Sequence, residues 1–181
     1  MSLVTSIARL LFKFREKSIQ KFIKTPIEFQ KAILFDLINQ GGNSEYGKRH
    51  GIDRIKTYEQ FNNQVPVVNY EEFFPQVEKV LSGDSNIIWP GKIKWFAKSS
   101  GTTNDKSKFI PVSNMSLEQN HLKAGRDLLS VYLGNYKKSN LFDGLALALG
   151  GSKQLAPYKK NKDVFTGDIS AILLKNLPFW A

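Results

Sequence analysis

Residues 98–113 read Lys98-Ser99-Ser100-Gly101-Thr102-Thr103-Asn104-Asp105-Lys106-Ser107-Lys108-Phe109-Ile110-Pro111-Val112-Ser113. A mostly apolar stretch, 93–97, comes just before the polar run, and a second one, 109–112, closes it. The pattern predicts strand, glycine-containing polar loop, strand. Ser99, Ser100, Thr102 and Thr103 bring hydroxyl donors, Gly101 lets the backbone turn tightly and approach a ligand, and Lys106 and Lys108 supply positive charge. Backbone N–H groups, hydroxyls and a lysine in one short loop suit an anion, and the reading is a phosphate cradle for a nucleotide.

The energetics favour such a site. Each hydrogen bond to a charged oxygen contributes about 1.5–3 kcal/mol net, so a few of them and one lysine make a usable anion site. The loop is not a Walker A element, which needs a glycine, four residues and then Gly-Lys-Ser/Thr. Gly101 is followed by four residues and then Lys106-Ser107 with no second glycine, and the next helix begins only beyond Pro111. The plain structural alternative is a solvated hairpin turn of ordinary Ser, Thr and Asn content.

The 181 residues suffice for one domain or part of a larger one, and 41% hydrophobic with 12% aromatic residues is globular composition. No apolar run reaches membrane-spanning length. There is no cysteine, which excludes disulfide and thiolate chemistry, and the N-terminus lacks the layout of a secretory signal, so a cytoplasmic protein is expected. The formal net charge of +10 suits anionic ligands. The lysines are spread along the chain rather than clustered, and nucleic acid is not the expected partner.

Leu3, Ile7, Leu10, Leu11 and Phe14 fall at helical spacing between Arg9, Lys13, Arg15 and Lys17, an amphipathic basic helix. Its apolar stripe is expected to pack on the rest of the domain, with membrane-surface binding as the alternative. Thr25-Pro26-Ile27-Glu28 reads as a capped helix start ending at Gly41-Gly42, and Asn69 with Glu72 repeats the capping pattern before Gly83. Pro75 is expected to break that second helix. Residues 87–89 and 145–149 read as strands, 153–166 as lysine-rich loop, and 169–177 as helix. Ser116 with Gln119 opens a helix over 117–133. The fold class is α/β of mixed type: residues 1–83 mainly helical, then strands and helices over 84–181, with the phosphate loop at 98–108.

Ser99-Ser100-Gly101-Thr102-Thr103 followed by Lys108-Phe109-Ile110-Pro111 resembles the phosphate loop of the auxin-responsive acyl-acid amido synthetases, the plant "Gretchen Hagen" family and its bacterial relatives. That family belongs to the acyl-adenylating superfamily of acyl-CoA synthetases and firefly luciferase. The stretches 43–47, 70–84 and 165–170 are similar to family segments as well, so the likeness runs from about residue 26 to the end. The resemblance implies part of the large N-terminal domain of an acyl-adenylating ligase. It implies ATP with Mg²⁺, a small carboxylic acid converted to its adenylate, and an amine, usually of an amino acid, as acceptor. It puts Ser99, Ser100, Thr102 and Thr103 on the phosphates, Gly101 at the turn, and Lys108 at the family's lysine before the hydrophobic-Pro pair.

Asp105 departs from the glycine that plant members often carry, and a carboxylate beside phosphate needs Lys106 or Mg²⁺ to offset it. Family members are much longer, with later motifs at the adenine, acyl and ribose sites and a mobile C-terminal domain. The chain is therefore expected to be an N-terminal fragment that does not complete catalysis alone. His121 sits where the family's acyl pocket begins, so the resemblance implies a pocket-lining role; by itself a lone histidine on a helix is a surface residue. No metal site is expected from two histidines and no cysteine. The catalytic residues and the oligomeric state are not legible. The competing function is a basic, non-catalytic module binding phosphate, nucleic acid or a membrane surface.

Overall fold

A computed structural model describes residues 3–99, 107–145, 147 and 155–177. In chain order the elements are α1 (Leu3–Lys24), α2 (Pro26–Gly41), α3 (Glu45–Arg49), a 3-10 turn (Ile52–Arg54), α4 (Tyr58–Gln64), α5 (Tyr70–Ser82), β1 (Trp95–Lys98), β2 (Phe109–Val112), α6 (Asn114–Ser116), a π-helical turn (Leu117–Leu122), α7 (Lys123–Asn135), β3 (Ala156–Tyr158), β4 (Asn161–Gly167) and α8 (Ile169–Lys175). The fold is mixed α/β, helices followed by a mixed four-stranded sheet. It divides into two compact units, residues 1–30 with 115–149 and residues 31–114 with 150–181.

In the first unit α1 packs on α7 through polar anchors. Arg9 donates to the carbonyls of Leu133 and Tyr136, both at 3.1 Å, near the C-terminal end of α7, where helix carbonyls lack partners and a positive charge is favoured. Arg15 pairs with Asp127, with one guanidinium N–H bond at 2.8 Å, and the buried Ser130 hydroxyl donates to the carbonyl of Phe12 at 2.7 Å. The buried Thr5 hydroxyl donates to Asp143. This turns the apolar stripe outward, against expectation: Leu3, Ile7, Leu10, Leu11 and Phe14 are 51% to 77% exposed. The groups on α1 that match α7 are polar, and they select the other face of the helix.

The helix starts differ from the sequence reading in detail. Thr25 bonds back to the carbonyl of Lys21 through both its hydroxyl, at 3.2 Å, and its N–H, at 3.0 Å, so it closes α1. Ser116 lies in helical conformation and makes no side-chain cap. The Asn69–Glu72 capping box forms in full, at 2.9 and 3.1 Å. Pro75 does not break α5. The bond it forfeits is to the carbonyl of the exposed Glu71, near the first turn, while Val77, Val80 and Leu81 one face further on are buried in the core.

In the second unit the strand order is β2-β1-β4-β3. β1 runs antiparallel to β2 and parallel to β4, and β3 runs antiparallel to β4. α5 lays Val77, Val80 and Leu81 against Ile87, Ile93, Phe96 of β1 and Val164 of β4. Phe96 and Val164 are wholly buried, each stabilising by about 1.5–3 kcal/mol through lost water contact. Gly83 ends α5 with φ of 108°, a conformation open to glycine, and Asn161 at the start of β4 donates to the carbonyl of Ser82 at 3.0 Å.

Three strand expectations change. Residues 87–89 are not a strand, because the carbonyls of Asn86 and Ile87 accept from Glu45 and Tyr46, the free N–H groups at the start of α3. Leu145 and Leu147, the described members of the run 145–149, are fully or largely exposed. Residues 156–167 form a β-hairpin instead of a loop. Lys159 and Lys160 occupy its turn and Lys162 faces solvent, while Val164 and Thr166 alternate inward, a short period-two signal masked by the lysines.

Replacing Arg9 with alanine is expected to lower unfolding stability by about 1–3 kcal/mol, since charge-assisted bonds to carbonyls are lost, whereas Leu10→Ser should stay within about 0.5 kcal/mol. Urea denaturation of the two variants checks both. Arg15 holds the Asp127 carboxyl below the usual carboxylate range, chiefly through their hydrogen bond. The folded value lies below the unfolded one, so this stabilisation is present near neutrality and is lost as pH falls below the ordinary carboxylate value. Asp127→Asn should flatten that acid-side loss in a series of melting curves, and an unchanged pH profile would contradict it.

Candidate functional site

The polar loop leaves the sheet at Ser99 and returns at Lys108. β1 and β2 pair with Trp95 opposite Val112, Phe96 opposite Pro111, Ala97 opposite Ile110 and Lys98 opposite Phe109. One step beyond the ladder, the N–H of Ser99 donates to the carbonyl of Lys108 at 3.0 Å, and the N–H of Lys108 donates to the Ser99 hydroxyl oxygen at 3.2 Å. These two residues close the base of the loop. The Ser99 hydroxyl accepts there and keeps its own proton to donate.

β2 is an edge strand, and by the antiparallel alternation the Phe109 N–H and carbonyl point away from β1. Tyr70, the first residue of α5, satisfies both. Its hydroxyl accepts from the Phe109 N–H at 2.7 Å and donates to the Phe109 carbonyl at 3.3 Å. Burial pushes the Tyr70 phenol above its ordinary value, so it remains a neutral donor and acceptor at physiological pH. The Lys108 ammonium lies 5.2 Å from the centre of the Tyr70 ring, and the Lys98 ammonium lies 5.8 Å from that of Phe109, both within cation–π range. Phe109 in turn meets Tyr158 edge-on at 5.9 Å. Neither lysine has an ion pair with a described residue, and both are exposed.

The neighbouring strand brings a second element to the same place. β4 pairs in parallel with β1, with Gly167 opposite Ala97, so the carboxyl ends of both strands emerge side by side. Ligands of open parallel sheets bind outside the carboxyl ends of the strands. Lys98 ends β1 and Ser99 follows it, and the exposed Asp168 follows β4.

Of the residues expected from sequence, Ser99 and Lys108 are brought together at the loop base. Ser100, Gly101, Thr102 and Thr103, with Asp105 and Lys106, lie outside the described residues. His121 falls in the π-helical turn of the first unit, half-buried. Sequence reasoning missed Tyr70 as part of the site, and gave Lys98, at the start of the loop, and Asp168 no role. Tyr70 was visible only as the opening of a capped helix; its span of 39 residues to Phe109 is a tertiary fact. Among the described residues no group of three histidine or acidic side chains could hold a metal ion, and no helix is long and apolar enough to cross a membrane.

The GH3 family N-terminal domain profile matches residues 15–181. An indole-3-acetic acid-amido synthetase, GH3.2 of Arabidopsis thaliana, is 31% identical over 107 residues, which is 59% of this chain and 20% of the relative. The jasmonoyl–L-amino acid synthetase JAR6 of Nicotiana attenuata is 32% identical over 108 residues, 58% of this chain and 19% of that protein. The solved GH3.15 acyl acid amido synthetase superposes with a TM-score of 0.72 at 19% identity, covering 88% of this chain and 28% of that structure. The chain thus spans about a fifth of the length of the curated relatives it matches. With a profile match over nearly its whole length, the chain belongs to the GH3 family, within its N-terminal domain.

Proposed function

We propose that this chain supplies the nucleotide-phosphate site of an ATP-dependent acyl-acid amido synthetase. Such an enzyme adenylates a small carboxylic acid and passes the acyl group to an amino acid. The observation that carries the reading is the loop base: Ser99 and Lys108 close a polar loop at the carboxyl ends of β1 and β4, flanked by two exposed lysines without a described carboxylate partner.

The donor set suits a triphosphate. Lys108 and Lys98 offset its charge, Ser99 retains a hydroxyl proton, and the hydroxyls of Ser100, Thr102 and Thr103, with the backbone at Gly101, are expected to add donors. Mg²⁺ is expected to arrive with the nucleotide, held by phosphate oxygens. The names of the relatives, an indole-3-acetic acid-amido synthetase and a jasmonoyl–L-amino acid synthetase, support an acyl acid and an amino acid as co-substrates. His121 is read as lining the acyl pocket. A chain without cysteine that works on ATP is read as cytoplasmic.

Mg-ATP should raise the melting temperature of the 181-residue chain in a concentration-dependent way. Lys108→Ala is expected to weaken binding about tenfold in titration calorimetry, the loss of one charge-assisted contact. Ser100→Ala should weaken it by a smaller factor. A chain that ignores Mg-ATP but binds DNA, RNA or anionic vesicles in a salt-sensitive manner would refute the assignment.

A further inference from the structure

We infer that Tyr70 is a positioning residue for the nucleotide site, its ring seating the Lys108 ammonium and its hydroxyl pinning the returning strand; this rests on the phosphate-site reading above. The tyrosine comes from the first turn of α5, far from the loop in sequence, and makes three contacts at one point. Its hydroxyl takes both outward-facing backbone groups of Phe109, at 2.7 and 3.3 Å, and its ring lies 5.2 Å from the Lys108 ammonium.

A lysine side chain has four rotatable bonds and is solvated as a point charge, so an exposed lysine samples many directions. Lys108 is exposed and has no described ion pair to fix it. The ring face restricts that sampling without neutralising the charge, which a carboxylate partner would do. The ammonium thus stays available to phosphate while its approach is set by α5. The helix itself is fixed by the capping box of Asn69 and Glu72 and by Val77, Val80 and Leu81 in the core. The two roles of Tyr70 separate chemically: phenylalanine retains the ring without the hydroxyl, and leucine retains neither.

The test compares Tyr70→Phe with Tyr70→Leu, each with Lys108 present and in the Lys108→Ala background, by calorimetric titration with Mg-ATP. Going from the Phe to the Leu variant should weaken binding about two- to fivefold when Lys108 is present, the affinity equivalent of one exposed cation–π contact, and should change nothing when it is absent. Equal weakening in both backgrounds, or none in either, overturns the inference. NMR supplies a readout that simple packing would not move. The Lys108 ε-methylene protons should show an upfield ring-current shift that survives Tyr70→Phe and disappears in Tyr70→Leu, and its absence in the unaltered chain overturns the seating. Should Tyr70→Leu fail to fold, that shift in the unaltered and Tyr70→Phe chains decides instead. If the unaltered chain does not bind Mg-ATP, the phosphate-site reading falls and takes this role with it. If the chain binds and Lys108→Ala weakens binding while the cycle stays additive, only the positioning role is lost.

Discussion

The parallel pairing of β1 with β4 is the constraint on which the rest of the second unit depends. It puts Phe96 and Val164, both wholly buried, side by side under α5, and it brings the carboxyl ends of two strands to one edge. A parallel pair cannot be joined by a tight turn, so a long stretch of chain must leave the sheet after β2 and return before β4. The gain that offsets the entropy of closing that excursion is burial of the shared apolar layer.

From this pairing the site acquires its electrostatic character. The loop base carries Lys98 and Lys108 with aromatic rings rather than carboxylates beneath them. Rings hold a cation without cancelling its field, so the two lysines keep their charge beside the proposed phosphate site. The edge-strand problem is solved at the same point: the two unpaired groups of Phe109 are occupied by the Tyr70 hydroxyl, which protects the strand from pairing with another chain. The chain belongs to the GH3 family, and relatives that match it are named as amido synthetases.

The first unit follows a different logic. Its two long helices are matched by polar anchors, with Arg9 over the end of α7 and Arg15 on Asp127. Only a polar face could meet those partners, and the apolar face of α1 is left outside the contact. Amphipathic periodicity locates two faces of a helix but does not say which one a neighbour selects.

Local chemistry was legible in the sequence. The Asn69–Glu72 capping box and the strands bracketing the polar loop each depend on residues close together in the chain, and short-range sterics and hydrogen bonding decide them. The hairpin over 156–167 was not legible, because its lysines hide a short alternation that only pairing with β1 makes decisive. Tyr70 and Asp168 reached this place only through packing of α5 and β4 on the sheet. The sequence by itself determined the cap of α5 and the two strands on either side of the loop; the tertiary structure decided what surrounds them, because long-range burial, not local propensity, chooses which distant residues meet.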